Sequence, residues 1–113
     1  MTGRQLRQVL SLPPSPDGFA RGPARLTIVR HHRVFAEGQS PTYAIGVRAA
    51  TLEAQVRECV RLGATPITVS EGLDWLRTAV RGHRIAFSFD DGYLDNVEVA
   101  LPILTAHGAR ATF

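Results

Sequence analysis

The sequence predicts an α/β fold, in which short apolar strands alternate with amphipathic helices. Runs rich in apolar, β-branched or aromatic residues recur at positions 26–29, 66–69, 84–89 and 109–113, and such runs are typical of strands buried on at least one face. The segments between them repeat apolar residues at helical spacing. Strands that alternate with helices predict a largely parallel sheet covered by helices.

Two amphipathic helices are expected before the strand at 84–89. The first should begin after Thr51, with Glu53 in its first turn, and end at Gly63. The second should run over residues 71–80 with Ser70 as its N-cap. The apolar residues expected to face inward are Leu52, Val56, Cys59 and Val60 in the first helix and Leu73, Leu76 and Val80 in the second.

A third helix is expected after the strand at 84–89, over about residues 96–107. Pro102 should kink this helix or start it afresh, because proline lacks the amide donor and its ring clashes with the preceding turn. Gly108 should end it. The apolar run that follows would be the next strand.

The chain divides into residues 1–24, expected to be a flexible segment, and residues 25–113, expected to be part of one domain. Prolines, glycines and serines at positions 11–23 discourage regular structure. The 113 residues suffice for one small domain, whereas a complete β/α barrel takes ~250 residues. We therefore expect a fragment of a larger domain.

Composition narrows the classes of function. The net charge of +3 comes from 13 arginines without any lysine, but the arginines are scattered among acidic residues and do not alternate with aromatic ones, so no nucleic-acid partner is expected. The single cysteine, Cys59, excludes an internal disulfide and is expected to be a buried, inert thiol. No apolar run near the N-terminus is long enough for a signal peptide or a membrane span, so the expected location is the cytoplasm.

Two adjacent carboxylates are the strongest candidate site. The strand at 84–89 delivers Asp90 and Asp91 into a turn at Gly92, and ligands collect at the C-terminal ends of parallel strands. Neighbouring carboxylates repel each other, so a site that holds both needs a cation, a shared proton or strong hydrogen-bond donors. A hard metal ion is the simplest partner, with one carboxylate bound to it and the other acting as general base for water. The structural alternative is a plain turn or a helix cap.

The four histidines fall into two groups. His31 and His32 end the first predicted strand, so one of them is expected to point toward the same edge of the sheet as Asp90. His83 precedes a strand and His107 ends a helix, and both are expected to be structural.

The carboxylates belong to a longer pattern. It comprises Ser88, Phe89, Asp90, Asp91, Gly92 and Tyr93, then Asp95 and Asn96, then the segment ALPIL at 100–104, Gly108, and finally Ala111, Thr112 and Phe113. This pattern resembles the first motif of the polysaccharide deacetylases, also called carbohydrate esterase family four. Residues 26–34 resemble the opening strand and Tyr-His-Arg-Val segment of many members, with His31 in place of the tyrosine and His32 at the histidine near the active site.

The resemblance implies a fold, a cofactor and an activity. The fold would be a distorted β/α barrel, of which this chain holds the N-terminal part. Asp91 would bind a divalent metal, most commonly zinc (Zn2+), and Asp90 would be the base that deprotonates the attacking water. The enzyme would be a hydrolase that removes N-acetyl groups, cleaving a non-peptide carbon–nitrogen bond, and its substrate would be an N-acetylated glycan or lipid-linked sugar.

The family's second motif, His-Ser/Thr-x-x-His, supplies two further metal ligands and does not occur in the 113 residues. Because catalytic zinc typically takes three protein ligands, the chain alone is expected to be inactive. Two other classes stay open. Asp-based phosphatases also place carboxylates after a hydrophobic strand, but usually as Asp-x-Asp, whereas these two are adjacent. A non-catalytic glycan-binding or interaction module of the same fold would also lack the second motif.

Overall fold

The computed structural model describes residues 3–9, 12, 15–39 and 46–113. Along these residues the elements are α1 (Gly3–Val9), α2 (Pro16–Arg21), β1 (Arg25–His31), β2 (Arg33–Phe35), β3 (Gly46–Arg48), α3 (Ala49–Arg61), α4 (Val69–Thr78), β4 (His83–Phe89), a π-helical turn (Asn96–Ala100) and α5 (Leu101–Ala106).

A parallel sheet built around β4 forms the centre of the fold. β1 and β4 pair in parallel along their whole length, with His31 opposite Phe89. Isolated parallel bridges to β4 come from Ile67 and Thr112, and β2 and β3 form a second, short parallel pair. The parallel strands and the helices packed on them confirm the predicted α/β class.

The main core lies between this sheet and helices α3 and α5. Side chains alternate across a strand, so every second residue of β4 faces these helices. α4 packs on the opposite face, where Gly72 lies so close to Leu26 that a Cβ atom on residue 72 would be 2.6 Å from Leu26 Cδ1. The core includes Ile85, Phe87 and Phe89 from β4, Leu52 and Val56 from α3, and Leu104 from α5.

The first predicted helix is confirmed, with an earlier start and a corrected inward face. α3 begins before Thr51, and Gly63 follows it with φ +76°, the left-handed conformation that commonly ends a helix. Three residues of the predicted apolar stripe are buried, but Val60 is 39% exposed, so the prediction is wrong for that residue. Gln55 takes an inward position instead. Burial raises the pKa of the Cys59 thiol to about 12, which agrees with an inert cysteine.

The second predicted helix exists, but its N-cap and its inward face differ from the prediction. Thr68, rather than Ser70, is the N-cap: its hydroxyl accepts the Glu71 N–H, and the Glu71 carboxylate accepts the Thr68 N–H. Gly72 is the buried position, because its missing side chain lets α4 lie against β1. The apolar residues expected to face inward are exposed instead: Leu73 by 47%, Leu76 by 37% and Val80 by 81%.

The third predicted helix changes type along its length. The π-helical turn passes into α5 at Leu101, with Pro102 in the first turn of α5. The prediction that Pro102 disturbs the helix is confirmed as a change of helix type: the Leu101 N–H still bonds to the Asn96 carbonyl, so the helix continues from the π-helical turn into α5. Gly108, with φ +67°, lies just beyond the end of α5 as expected.

The strand predicted at 84–89 is confirmed as β4, whereas the other predicted strands are shorter than expected. The opening strand, expected over residues 26–34, is interrupted at His32, between β1 and β2. The runs at 66–69 and 109–113 contribute only the bridges of Ile67 and Thr112 within the described residues.

Part of the N-terminal segment expected to be irregular is helical. α2 lies within residues 11–23, so the prediction is wrong there; Pro16 stands in the first turn of α2, where its fixed φ suits a helix. Leu6 of α1 and Phe19 of α2 are 2% and 3% exposed and join the core. The longest of the described helices, α3, has 13 residues, and none of them is long and apolar enough to cross a membrane.

Candidate active site

The C-terminal ends of β1 and β4 bring two polar segments together. Because the two strands run in parallel with His31 opposite Phe89, the residues that follow each strand leave from the same edge of the sheet. The Asp90 N–H donates to the His31 carbonyl over 2.9 Å, which extends the pairing by one residue. His32 on one side and Asp90 and Asp91 on the other therefore emerge next to each other.

The carboxylates stand on a turn with a strained backbone. Asp91 has φ +73°, and among the described residues no other non-glycine residue has a positive φ. Gly92 follows with φ +60°, so two successive left-handed residues reverse the chain. Aspartate tolerates this conformation better than most residues, but it still costs free energy. A strained residue whose side chain is a carboxylate is a reason to look for function at this turn.

Nitrogen donors surround the two carboxylates. Arg30 Nε lies 3.5 Å from Asp90 Oδ2. His32 Nε2 lies 3.9 Å from Asp90 Oδ2 and 4.0 Å from Asp91 Oδ2. The side chains of Asp90 and Asp91 are 39% and 59% exposed, so a dissolved molecule can reach both. The cationic neighbour that paired carboxylates require is supplied in part by Arg30.

The two adjacent histidines have opposite environments. His32 faces the carboxylates, as expected for one histidine of the pair. His31 is buried against Phe87 and Phe89, with its ring centroid 5.1 Å from each of theirs. Burial, with a smaller contribution from His32, lowers the pKa of His31 to about 4, so His31 is neutral at pH 7.

Hydrogen bonds from the start of the π-helical turn fix the segment that carries His32. Asp95 Oδ1 accepts the Val34 N–H over 3.1 Å, and Asp95 Oδ2 accepts the Arg33 Nε–H over 3.0 Å. Asn96 is 3% exposed and donates from Nδ2 to the His32 carbonyl over 2.9 Å. We call these two residues the Asp95–Asn96 clamp. The clamp ties the chain that leaves the carboxylate turn to the chain that leaves β1.

A cavity of about 450 Å³ opens beside the turn. Its walls include Arg33, Tyr93, Asp95 and Glu98. The guanidinium carbon of Arg33 lies 5.2 Å from the centre of the Tyr93 ring, so a cation covers one aromatic face. An aromatic ring together with carboxylates suits a small polar ligand. Another cavity, of about 400 Å³, lies between β2 and the start of α3 and includes none of these four residues.

The described residues do not form a complete metal site. No group of three His, Cys, Asp or Glu side chains among them is arranged to hold a metal ion. The chemistry of the donors is suitable, because carboxylate oxygens and imidazole nitrogens bind divalent metals, and Asp91 is exposed. The turn therefore carries donors of the type that metals bind, but the described residues do not complete a ligand set.

The remaining histidines have structural contacts, as expected. His83 Nε2 lies 2.6 Å from Thr27 Oγ1, and His107 Nε2 lies 3.4 Å from Glu53 Oε1. Sequence reasoning missed the neighbour Arg30. It included Asp95 and Asn96 in the pattern around the carboxylates but did not predict their hydrogen bonds to residues 32–34. Arg30 immediately precedes the two histidines that were singled out, and that adjacency was the available signal.

Comparison of the chain with models of protein families, with curated proteins and with solved structures finds no match. The function of the site has to be inferred from its own residues. Two observations bear on that function: the sequence pattern around Asp90 and Asp91, and the position of this pattern at the end of a central parallel strand.

Proposed function

We propose that the chain carries the first catalytic motif of a metal-dependent N-deacetylase of the polysaccharide deacetylase type, a hydrolase that removes N-acetyl groups from a glycan or a lipid-linked sugar. The observation that carries the proposal is the pair of adjacent carboxylates, Asp90 and Asp91, exposed after a central parallel strand. The distorted β/α barrel of that family is the corresponding proposal for the fold. The parallel pairing of β1 and β4 and the helices on both faces support it.

The residues at the turn take separate roles in this proposal. Asp91 binds the divalent metal, zinc by preference, together with further ligands. When bound, the metal acts as a Lewis acid and makes water a stronger nucleophile. Asp90 accepts the proton of the attacking water as general base. Arg30 and His32, both from the C-terminal end of β1, lie within 4 Å of the Asp90 carboxylate, and the positive charge of Arg30 stabilises its ionised form.

The cavity beside the turn supports a carbohydrate substrate. Tyr93 offers a ring, and Glu98 and Gln39 offer a carboxylate and an amide that can accept or donate hydrogen bonds. Tyr93 is also the second residue after Asp91. A sugar adjoining the one that is deacetylated would bind here.

The 113 residues on their own are proposed to be inactive. The four histidines show no His-x-x-x-His spacing, and catalytic zinc typically needs three protein ligands. Incubation of the purified chain with zinc and N-acetylchitotetraose is therefore expected to release no acetate above the blank. Zinc-dependent acetate release would contradict this part of the proposal.

A non-catalytic glycan-binding module is the second candidate. The observation that favours it is that the described residues contain no three-ligand group for a metal. In this alternative the turn and the cavity bind a glycan without metal and without turnover.

Saturation-transfer difference NMR with N-acetylchitotetraose distinguishes the two candidates. The deacetylase proposal predicts saturation of the N-acetyl methyl groups with zinc present, and loss of that signal with EDTA and in Asp91→Asn. Asp74→Asn is the matched control, because Asp74 is a carboxylate of α4 that is 70% exposed. A signal that survives both EDTA and Asp91→Asn favours the binding module. No signal under any condition contradicts both candidates.

A further inference from the structure

We propose that Asn96 is a positioning residue of the active site: its hydrogen bond to the His32 carbonyl holds the His32 imidazole between Asp90 and Asp91. The geometric part of this proposal is independent of what the site does. Its consequence for metal binding rests on the proposed function.

The backbone at His32 lacks the support that its neighbours have. His32 belongs to neither β1 nor β2. The carbonyl of His31 is bonded to the Asp90 N–H, and Arg33 is paired within β2. At His32 itself, the carbonyl is held by Asn96 Nδ2 over 2.9 Å. Asn96 thus anchors the residue at which the strand pairing is interrupted.

Among the described residues, none forms a hydrogen bond with the imidazole of His32 that would hold it in place. Its Nε2 lies 3.9 Å and 4.0 Å from the facing oxygens of Asp90 and Asp91, which is beyond hydrogen-bond distance. Within the described part of the chain, the position of the ring therefore depends on its backbone and on two side-chain torsions. A group that fixes that backbone limits which rotamers bring the ring to both carboxylates.

Stability alone does not account for an asparagine at position 96. The side chain is 3% exposed, and its buried Oδ1 has no hydrogen-bond partner among the described residues. A buried amide that is only partly satisfied costs free energy that an apolar residue of similar size would not. The Nδ2 group also lies 3.3 Å from Asp95 Oδ1, which joins it to the rest of the clamp. The useful contribution of Asn96 is the bond to His32.

The test compares the imidazole of His32 in several variants at one pH, without metal. Long-range 1H–15N spectra report the ring nitrogens of His32. They are recorded for the wild type and for the double variant Asp90→Asn/Asp91→Asn, which shows where the His32 signals lie when no carboxylate faces the ring. Asn96→Leu keeps the apolar volume but removes the donor. In Asn96→Leu we expect the His32 signals to move most of the way from their wild-type positions to their positions in Asp90→Asn/Asp91→Asn.

The control is Leu104→Ala, which removes core packing from α5 without touching the clamp. This variant should lose stability and yet keep the wild-type signals of His32. Asn96→Ala, which removes the same donor with a smaller side chain, should repeat the shift seen in Asn96→Leu. Wild-type His32 signals in a folded Asn96 variant would overturn the proposal, and so would an equal shift in Leu104→Ala.

The functional consequence is measured separately by zinc titration. If Asp91 binds zinc, Asn96→Leu should weaken zinc binding by about tenfold, as outer-shell partners of a metal site commonly do. Zinc binding that is unchanged in Asn96→Leu overturns the role of Asn96 while leaving the deacetylase proposal intact. Zinc binding that Asp91→Asn leaves unchanged instead contradicts the proposed function, and the spectra of His32 still decide the geometry.

Discussion

At Asp91, the carboxylate proposed to bind the metal stands on a backbone with φ +73°. A left-handed conformation at a residue with a Cβ atom costs free energy, whereas glycine adopts it freely. The neighbouring Asp90 adds repulsion between like charges. The residue that is central to the proposed function therefore lowers the stability of the folded protein.

Replacement of Asp91 by glycine should make the protein more stable. We expect Asp91→Gly to raise the free energy of unfolding by about 1 kcal/mol, because it removes backbone strain and charge repulsion together. Urea unfolding followed by circular dichroism measures the change. Asp91→Asn, which removes the charge but keeps the Cβ atom, should recover only a small part of the gain. An Asp91→Gly variant that is less stable than the wild type would contradict the assignment of strain.

His31 should make the fold sensitive to mild acid. Its pKa is lowered to about 4 by burial, whereas an unfolded histidine has a pKa of about 6.5. Between these two values the unfolded chain binds the proton and the folded protein does not, so stability falls as the pH falls from 6.5 toward 4. The expected loss at pH 5, relative to pH 7, is about 2 kcal/mol from this residue.

Urea unfolding of the wild type and of His31→Phe at pH 7 and pH 5 checks this prediction. The variant should be at least as stable as the wild type at pH 7, since it removes a buried nitrogen that has no hydrogen-bond partner in the part of the chain that the structure describes. It should lose much less stability at pH 5. A smaller loss should remain, because burial also lowers the pKa of His83. Equal losses in the two proteins would contradict the role of His31.

Among the helices, α4 has the best-defined start. Thr68 and Glu71 form a reciprocal capping box, and Glu71 also accepts hydrogen bonds from Arg110 at 2.9 Å and 2.5 Å. The Arg110 guanidinium, together with the bonds to Thr68, lowers the pKa of Glu71 to about 2. One carboxylate thus joins the start of α4 to the segment that follows α5.

Thr68→Ala should lower the free energy of unfolding by about 1 kcal/mol, because an N-terminal amide of α4 loses its acceptor. Ser70→Ala is the matched control: it removes a hydroxyl from the same turn at an exposed position that does not cap the helix, and it should change stability by less than about 0.5 kcal/mol. Thermal or urea unfolding measures both. A larger effect at Ser70 than at Thr68 would show that the helix begins where the sequence alone suggested.

Over the whole molecule, hydrophobic periodicity predicted the presence of helices and strands better than it predicted which of their residues are buried. The alternation of apolar runs and helical spacing gave the α/β class and the position of α3. It failed for α4, because the buried position of this helix is Gly72. Glycine allows α4 to lie close to Leu26 since it has no side chain, and a pattern of hydrophobic side chains does not detect such a residue. It also overestimated the strand at Thr112, whose pairing with β4 depends on distant parts of the chain.

The candidate site was predictable where it is local in sequence. Asp90 and Asp91 adjoin each other, and their place after an apolar strand suggested the edge of a parallel sheet. The contact of His32 with both carboxylates depends on the register of β1 against β4. The bond from Asn96 to His32 depends on the packing of the π-helical turn. Contacts of this kind are set by tertiary structure, and neither periodicity nor composition contains them.

The measurement that tests the central claim most directly is calorimetric titration of the purified chain with zinc. The proposal predicts binding that Asp91→Asn weakens by about tenfold or more and that Asp74→Asn leaves unchanged. Zinc binding that is the same in all three proteins would contradict the assignment of Asp91 as a metal ligand.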